Sequence, residues 1–152
     1  MLGAFTHTYA RRAKIIVSFM QYITGIHALN LNCSLKTPGD WHQSALQWDH
    51  PTVADSEDSF FGEYGIEDCV HVPEHSGSFK IANHIRAALD LMVNGNFAQI
   101  KGLKKNLICN DQYTPEIFEK VGQLRCQKNW PQISNFMGLE YGIEWLRYLG
   151  RI

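Results

Sequence analysis

Apolar residues recur at helical spacing through the second half of the chain. Ser78 is a favourable N-cap residue for the first helical stretch, and Thr114 before Pro115 is a typical start of the third. We therefore predict four helices and no strand within residues 80–150, with Trp145 buried on the apolar face of the last helix. The stretches with the i, i+3, i+4 pattern of amphipathic helices are residues 79–93, 97–107, 114–126 and 130 onward.

The first half of the chain has shorter and less regular patterns. One apolar stripe over residues 5–23 predicts a first helix, which Thr24-Gly25 ends. Aromatic and β-branched side chains in residues 60–72 predict a short strand. The other segments are interpreted as a short strand within 26–31, a strand or short helix at 41–48, and an exposed loop at 49–59.

Together these patterns predict an α+β fold that is predominantly α. The N-terminal half, residues 1–79, is expected to be loop-rich with short strands, and the C-terminal half, residues 80–152, to be a helical bundle. A chain of 152 residues that is 45% hydrophobic can bury one core, so we expect a single domain over residues 1–152. No uncharged apolar run approaches the ~20 residues that span a bilayer, so no membrane association is expected.

The spacing of the cysteines and the pattern of the N-terminal residues indicate the cellular compartment of the protein. The four cysteines are widely scattered and form no Cys-x-x-Cys pair. The basic N-terminal stretch precedes an apolar run that is interrupted by polar residues, and no small-residue cleavage site follows cleanly, unlike a signal peptide. We therefore expect reduced thiols and a cytoplasmic protein.

Charge is distributed unevenly although the net charge is only −1. Residues 1–36 carry four basic and no acidic side chains, whereas residues 37–79, called here the acidic segment, carry nine acidic and no basic ones. Residues 80–152 carry a net charge of +4. Two interpretations stay open. The acidic segment pairs with the basic ends at little gain in stability, or it forms a negative surface that steers a basic partner.

The turn Thr37-Pro38-Gly39-Asp40-Trp41-His42 contains a candidate for acid–base chemistry. A turn that presents a carboxylate and an imidazole together makes His42 a candidate general base, with Asp40 or Asp49 as its orienting carboxylate. In the structural alternative, Asp40 caps a helix, Trp41 anchors the core and His42 bonds to the backbone.

Histidines in the acidic segment make a metal site a second candidate. His42, His50, His71 and His75 lie among carboxylates, and imidazole with carboxylate is the ligand chemistry of Zn, Mn and Fe sites. His71 and His75 have the i, i+4 spacing of a helical pair, but Pro73 between them disfavours a regular helix. No complete metal motif is present, so no cofactor is expected, and a divalent metal held by His71 and His75 is the alternative.

Two further polar groups lie within the predicted helices. Asn83, His84 and Arg86 suit either an anion site or the solvated edge of a helix. Direct nucleic-acid binding is not expected from a basic patch as small as Lys101, Lys104 and Lys105.

Two stretches of the chain resemble small uncharacterised prokaryotic proteins of similar length. They are Ala28-Leu29-Asn30-Leu31 through the turn ending at His42, and Asn135-Phe136-Met137-Gly138-Leu139-Glu140-Tyr141. The resemblance extends over most of the chain and implies toxin–antitoxin or phage-defence neighbourhoods, and hence a partner-binding role. It carries over no named fold, activity or catalytic residue.

Two functions are consistent with these features. The first is a small cytoplasmic protein whose acidic segment engages a protein partner with a basic surface, as an antitoxin-like inhibitor does. The alternative is a metal-dependent hydrolase or nuclease that uses Asp40 and the histidines of the acidic segment. In the first case, the residues expected to contact the partner are Asp55, Glu57, Asp58, Trp41, Trp48, Phe60 and Phe61.

Overall fold

A computed structural model describes residues 21–69 and 71–152 and confirms an α+β fold. The strands are β1 (Gln21–Ile23), β2 (Val53–Asp55), β3 (Ile66–Cys69) and β4 (Phe79–Ala82). The α-helices are α1 (Gly25–Leu29), α2 (His84–Val93), α3 (Thr114–Gly122), α4 (Trp130–Tyr141) and α5 (Ile143–Leu149). Single 3-10 turns lie at Gln43–Ala45, Ser56–Asp58, Phe97–Ile100, Asp111–Tyr113 and Gln123–Cys126, and a π-helical turn at Leu103–Ile108.

The four described strands form one mixed sheet in the order β2-β1-β4-β3. β1 runs antiparallel to β2 and parallel to β4, with Ile23 opposite Ile81. β3 and β4 are antiparallel, with Cys69 opposite Phe79. The prediction of no strand within residues 80–150 is therefore wrong, because β4 occupies a central position in the sheet. Its alternation of buried Phe79, exposed Lys80 and buried Ile81 is the period-2 pattern of a strand.

Helix α2 begins later than predicted and is buried on every side. Its N-cap is Asn83, whose side-chain oxygen accepts a hydrogen bond from the Arg86 amide at 2.9 Å, so Ser78 does not cap it. All residues from His84 to Met92 are buried. Of the two alternatives for Asn83, His84 and Arg86, the solvated edge of a helix is wrong, since all three residues are buried.

Several predictions for the first half also need correction. Residues 26–31 are mainly helical, in α1, since five residues with imperfect alternation do not separate a strand from a helical turn. The predicted loop at 49–59 contains β2, an edge strand whose three residues are only half-buried. Residues 21–23, expected to end a first helix, form β1, and the rest of that predicted helix lies outside the described residues.

Two predictions for the first half agree with the structure in part or whole. The strand expected within residues 60–72 is β3. Residues 41–48 contain a short 3-10 helix, the second of their two alternatives.

The C-terminal helices are more interrupted than their apolar patterns suggest. The predicted helix at 97–107 is a 3-10 turn followed by a π-helical turn, and the last helix breaks at Gly142, where φ is +60°. Trp145 is fully buried as predicted, but it lies on α5 and packs edge-on against Phe118 of α3. Within the described residues, no helix is both long and apolar enough to cross a membrane.

Candidate functional site

The loop between α1 and the 3-10 turn at Gln43–Ala45, residues 30–42, folds back tightly on the core. The Gly39 amide donates to the Leu107 carbonyl at 2.9 Å, and the Asp40 amide donates to the Leu29 carbonyl at 2.9 Å. Gly39 has φ +73°, and a Cβ there would collide with the Leu29 carbonyl oxygen and lie 2.9 Å from the His84 ring. Only glycine fits this approach, so the turn is held at a fixed place beside His84.

Asp40 and His42, the predicted acid–base pair, come together at the surface end of this loop. Asp40 Oδ2 lies 3.1 Å from His42 Nδ1, and the His42 side chain is 70% exposed. Asn30 holds both residues, because its side-chain amide donates to Asp40 at 3.1 Å and accepts from the His42 backbone amide at 2.6 Å. A carboxylate that orients an exposed imidazole can support proton transfer to or from a bound molecule.

A cavity of about 800 Å³ opens along the same loop. Its lining includes Cys33, Lys36, Thr37 and Trp41. Lys36 and Trp41 adopt left-handed backbone conformations, with φ of 56° and 64°, which side chains other than glycine seldom occupy. Trp41 is 79% exposed, so the alternative in which it anchors the core is wrong. Such strained positions occur preferentially at functional sites.

Cys33 and Thr37, which line this cavity, form a cluster with buried His84. His84 Nδ1 lies 2.6 Å from Thr37 Oγ1, and Thr37 Oγ1 lies 3.8 Å from the sulfur of Cys33. His84 Nε2 lies 2.7 Å from the Leu31 carbonyl oxygen. The sequence gives no signal of this cluster, because Thr37 and His84 lie 47 positions apart and no local motif joins them.

The contacts of Cys33 and His84 change the acidity of both. Burial raises the pKa of the Cys33 thiol, but its interactions with His84 outweigh burial and hold that pKa below its usual value. Burial lowers the pKa of His84, but interactions with Cys33, the Leu31 carbonyl and Glu67 outweigh burial and raise it. Each group therefore favours the charged form of the other.

The histidines considered as metal ligands have different surroundings. His75 Nε2 lies 2.6 Å from the Trp48 carbonyl oxygen and its ring packs edge-on against Phe79, whereas His50 and His71 are exposed. Within residues 21–69 and 71–152, no three His, Cys, Asp or Glu side chains come together in a group that could hold a metal ion.

The predicted partner contacts fall into exposed and buried sets. Glu57 and Asp58 are exposed and Phe60 is 45% exposed, while Asp55 is half-buried and caps the Glu57 amide at 3.0 Å. Trp48 and Phe61 belong to the core. Trp48 donates its indole N–H to the Gln43 carbonyl, and Phe61 packs against Tyr64. These two aromatic side chains offer no surface for a partner.

Among the described residues, few basic side chains pair with the acidic segment. In the part of the chain that the structure describes, its one ion pair with a lysine or arginine is Asp68 with Lys80, at 2.7 Å on an exposed surface. Asp40 pairs with His42 instead. Within residues 21–69 and 71–152, most carboxylates of the acidic segment are therefore exposed to solvent.

Arg86 anchors the loop that carries Phe60. Its guanidinium donates to the carbonyl oxygens of Gly62 and Tyr64, at 2.8 and 2.5 Å, and to the hydroxyl of Ser59. Residues 56–63, called here the acidic loop, are thus attached to the core just after the exposed side chains of Glu57 and Asp58.

Comparison of the chain with protein-family models, with curated proteins and with solved structures gave no match in any of the three.

Proposed function

We propose that this chain is a binding protein whose acidic loop engages a protein partner with a basic surface. The observation that carries the proposal is the lack of basic neighbours for these carboxylates among the described residues, where Lys80 alone of the lysines and arginines pairs with the segment. Glu57, Asp58 and Glu63 are exposed on the same loop as the exposed ring of Phe60. Charges beside an exposed aromatic side chain are a common composition for an interface.

The fixed position of the loop supports this role. Because buried Arg86 ties the loop to α2, the loop backbone loses little conformational freedom on binding, which lowers the entropic cost of association. Negative charge steers a basic partner and mainly raises the association rate, while Phe60 supplies apolar contact that slows dissociation. A protein of this kind would act as an antitoxin-like inhibitor by covering a basic surface of its target.

The test compares charge-reversal and aromatic variants with a matched control. Glu57→Lys/Asp58→Lys should slow association with a basic partner recovered from the source cells and flatten its salt dependence. Phe60→Ser should mainly speed dissociation. A control variant, Asp111→Lys/Glu144→Lys, reverses two exposed carboxylates outside the acidic segment and should bind as the wild type does.

Binding kinetics at low and high salt decide the outcome. Equal association rates for wild type and the acidic-loop variant, or association that does not change with salt, would overturn the proposal.

One specific observation favours a second function, hydrolysis or nuclease activity at the Asp40–His42 pair. Asp40 Oδ2 lies 3.1 Å from His42 Nδ1, so the carboxylate can orient the exposed imidazole as a general base. His71 and His75 remain the proposed ligands if a divalent metal takes part. Metal analysis of protein purified without a histidine tag, with phosphodiester hydrolysis by wild type and His42→Ala, tests this alternative. Metal-free protein with no hydrolysis excludes it.

A further inference from the structure

Cys33 is a free, half-buried cysteine that lines two cavities. We propose that Cys33 is the nucleophile of an acyl-transfer site for small uncharged esters or thioesters, with Thr37 passing the thiol proton to His84. This site is separate from the acidic loop and does not depend on the function proposed for it.

The hydrogen bonds around His84 determine the direction of proton transfer. A carbonyl oxygen only accepts, so the 2.7 Å contact with Leu31 places a proton on Nε2 of His84. Neutral His84 then presents the lone pair of Nδ1 to Thr37 at 2.6 Å, and the Thr37 hydroxyl donates to it. The oxygen of Thr37 is left to accept from the Cys33 thiol at 3.8 Å. The three groups thus form a continuous path from sulfur to imidazole.

The ring of His84 is held firmly for this role. The side chain is buried at the first turn of α2, and the Leu31 carbonyl fixes its tautomer. Gly39 packs close against its Cε1 edge, where no larger residue fits. A base whose orientation is set by a third group is the recurring arrangement of activated nucleophiles.

Both cavities give access to the sulfur. They have volumes of about 800 and 710 Å³, and Cys33, Asn32 and Gln43 line both of them. Asn32 and Gln43 are exposed, and amide side chains offer donors to a carbonyl oxygen without carrying charge. The site therefore suits a small carbonyl compound.

The charged groups near the thiol favour an uncharged substrate. Glu67 of β3 accepts from the backbone amide of Ser34 at 2.6 Å, next to Cys33 in the chain. Lys36 lines the first cavity, and Asp68 and His71 line the second. With two carboxylates nearby, an anionic acyl compound would be repelled on the side of the second cavity.

The reaction balances with water as the second reactant. The thiol proton moves to Thr37 as the Thr37 proton moves to His84, and the sulfur forms a bond to the carbonyl carbon. The bond from that carbon to the leaving group breaks, and the leaving group takes the proton back through Thr37. Water then attacks the thioester, its proton passes to His84, and the sulfur leaves and regains that proton. Cys33 contacts the substrate, while His84 acts through Thr37 as a positioning residue.

The first experiment measures alkylation of the full chain by iodoacetamide, mapped to each cysteine by mass spectrometry. The exposed Cys109 and Cys126 serve as internal controls. Access alone would make half-buried Cys33 the slowest of the three. We expect it to react fastest near neutral pH, with a pH midpoint below those of the controls. Reaction no faster than Cys109 and Cys126 would overturn the proposal.

The second experiment tests the proton path with Thr37→Val and its conservative control Thr37→Ser. Valine removes the hydroxyl, so the pH midpoint of Cys33 alkylation should rise, whereas serine keeps the hydroxyl and should restore it. A purely structural role of Thr37 would leave this midpoint unchanged, and an unchanged midpoint in folded Thr37→Val would contradict the relay. Circular dichroism establishes that each variant is folded.

The third experiment uses p-nitrophenyl acetate as the acyl probe. Wild type should release p-nitrophenolate and gain one acetyl group on Cys33, and Cys33→Ser should do neither. Thr37→Val should lose about a hundredfold in rate, the size of a general-base contribution. An alkylation-competent Cys33 that is never acetylated would overturn acyl transfer, and binding to a basic partner would be unaffected by that result.

Discussion

Helix α2 carries two buried polar groups, less than one turn apart, that differ in how fully they are satisfied. Arg86 uses all five of its N–H donors, on Asp90, the hydroxyls of Tyr22 and Ser59, and the carbonyls of Gly62 and Tyr64. His84 is equally buried, but the chain of contacts from it ends at a thiol that lines two cavities.

The difference separates a structural polar group from a candidate for chemistry. The Arg86 network joins β1, the acidic loop and α2, and Asp90 also accepts from the hydroxyls of Tyr22 and Thr24 at 2.6 and 2.7 Å. These partners occupy all five N–H donors of Arg86, so none is left for a ligand, and the role of the network is to hold these elements together. The Cys33–Thr37–His84 cluster keeps one reactive atom at a cavity wall. Burial alone therefore does not identify the functional group.

The largest expected effect on stability comes from removing the guanidinium of Arg86, whose N–H donors all have partners. Arg86→Met keeps most of the side-chain volume but leaves the Asp90 carboxylate buried without its cation. We expect a loss of about 3–5 kcal/mol in the free energy of unfolding, measured by urea denaturation. Arg86→Met/Asp90→Leu should lose less than the sum of the two single changes, because it leaves no charge uncompensated. A loss below about 1 kcal/mol in Arg86→Met would mean that the network is not structural.

The same network predicts a loss of stability at alkaline pH. Burial, followed by the hydrogen bond to Asp90, raises the pKa of Tyr22 from 10.0 to about 12. The folded state thus binds this proton more tightly than the unfolded state. The stability that results is fully present below pH 10 and is lost as the pH rises through about 12, a change of roughly 2–3 kcal/mol.

Tyr22→Phe tests this pH dependence, because phenylalanine has no proton to lose. Its unfolding free energy should fall less steeply than that of wild type between pH 10 and pH 12. Some slope should remain, since burial also raises the pKa of Tyr64 and Tyr141. Parallel curves for the two proteins would contradict the role of Tyr22.

A smaller effect tests where α2 begins. Asn83 accepts from the Arg86 amide, so Asn83→Ala should cost about 1 kcal/mol, as loss of an N-cap does. Ser78→Ala should change stability by less than about 0.5 kcal/mol, as exposed substitutions do. A larger loss in Ser78→Ala than in Asn83→Ala would place the start of the helix at the earlier residue, as the sequence alone suggests.

The contrast between Ser78 and Asn83 shows what the sequence predicts and what it leaves open. Apolar periodicity predicted helices in the second half and a buried Trp145, which is indeed fully buried. The pattern is informative here because the apolar face of a helix is the face that packs into the core. It did not separate Phe79–Ala82 from the helix that follows, since buried residues continue from one into the other. A four-residue segment such as β4 forms a strand because it pairs with β1 and β3, which lie elsewhere in the chain.

The candidate site is predictable to the same limited degree. Asp40 and His42 lie in one turn, so their proximity follows from the local sequence. The partners of Cys33 and Arg86 are distant in the chain, and only the tertiary fold brings them together. The solvated-edge alternative for Arg86 is wrong for the same reason, because a charged side chain on a helix is usually exposed and nothing in the local sequence shows the partners that bury this one.

The smallest effect is expected at the exposed end of the loop, at His42. Its side chain is 70% exposed, and its backbone amide, which an alanine would keep, makes the contact with Asn30. His42→Ala should therefore change the unfolding free energy by no more than about 0.5 kcal/mol. Urea denaturation of His42→Ala and Arg86→Met in parallel measures the smallest and the largest of the expected losses in unfolding free energy. A loss above about 1.5 kcal/mol would show that the imidazole is part of the fold. With stability unchanged, any hydrolysis that His42→Ala abolishes must be attributed to the imidazole itself and not to unfolding.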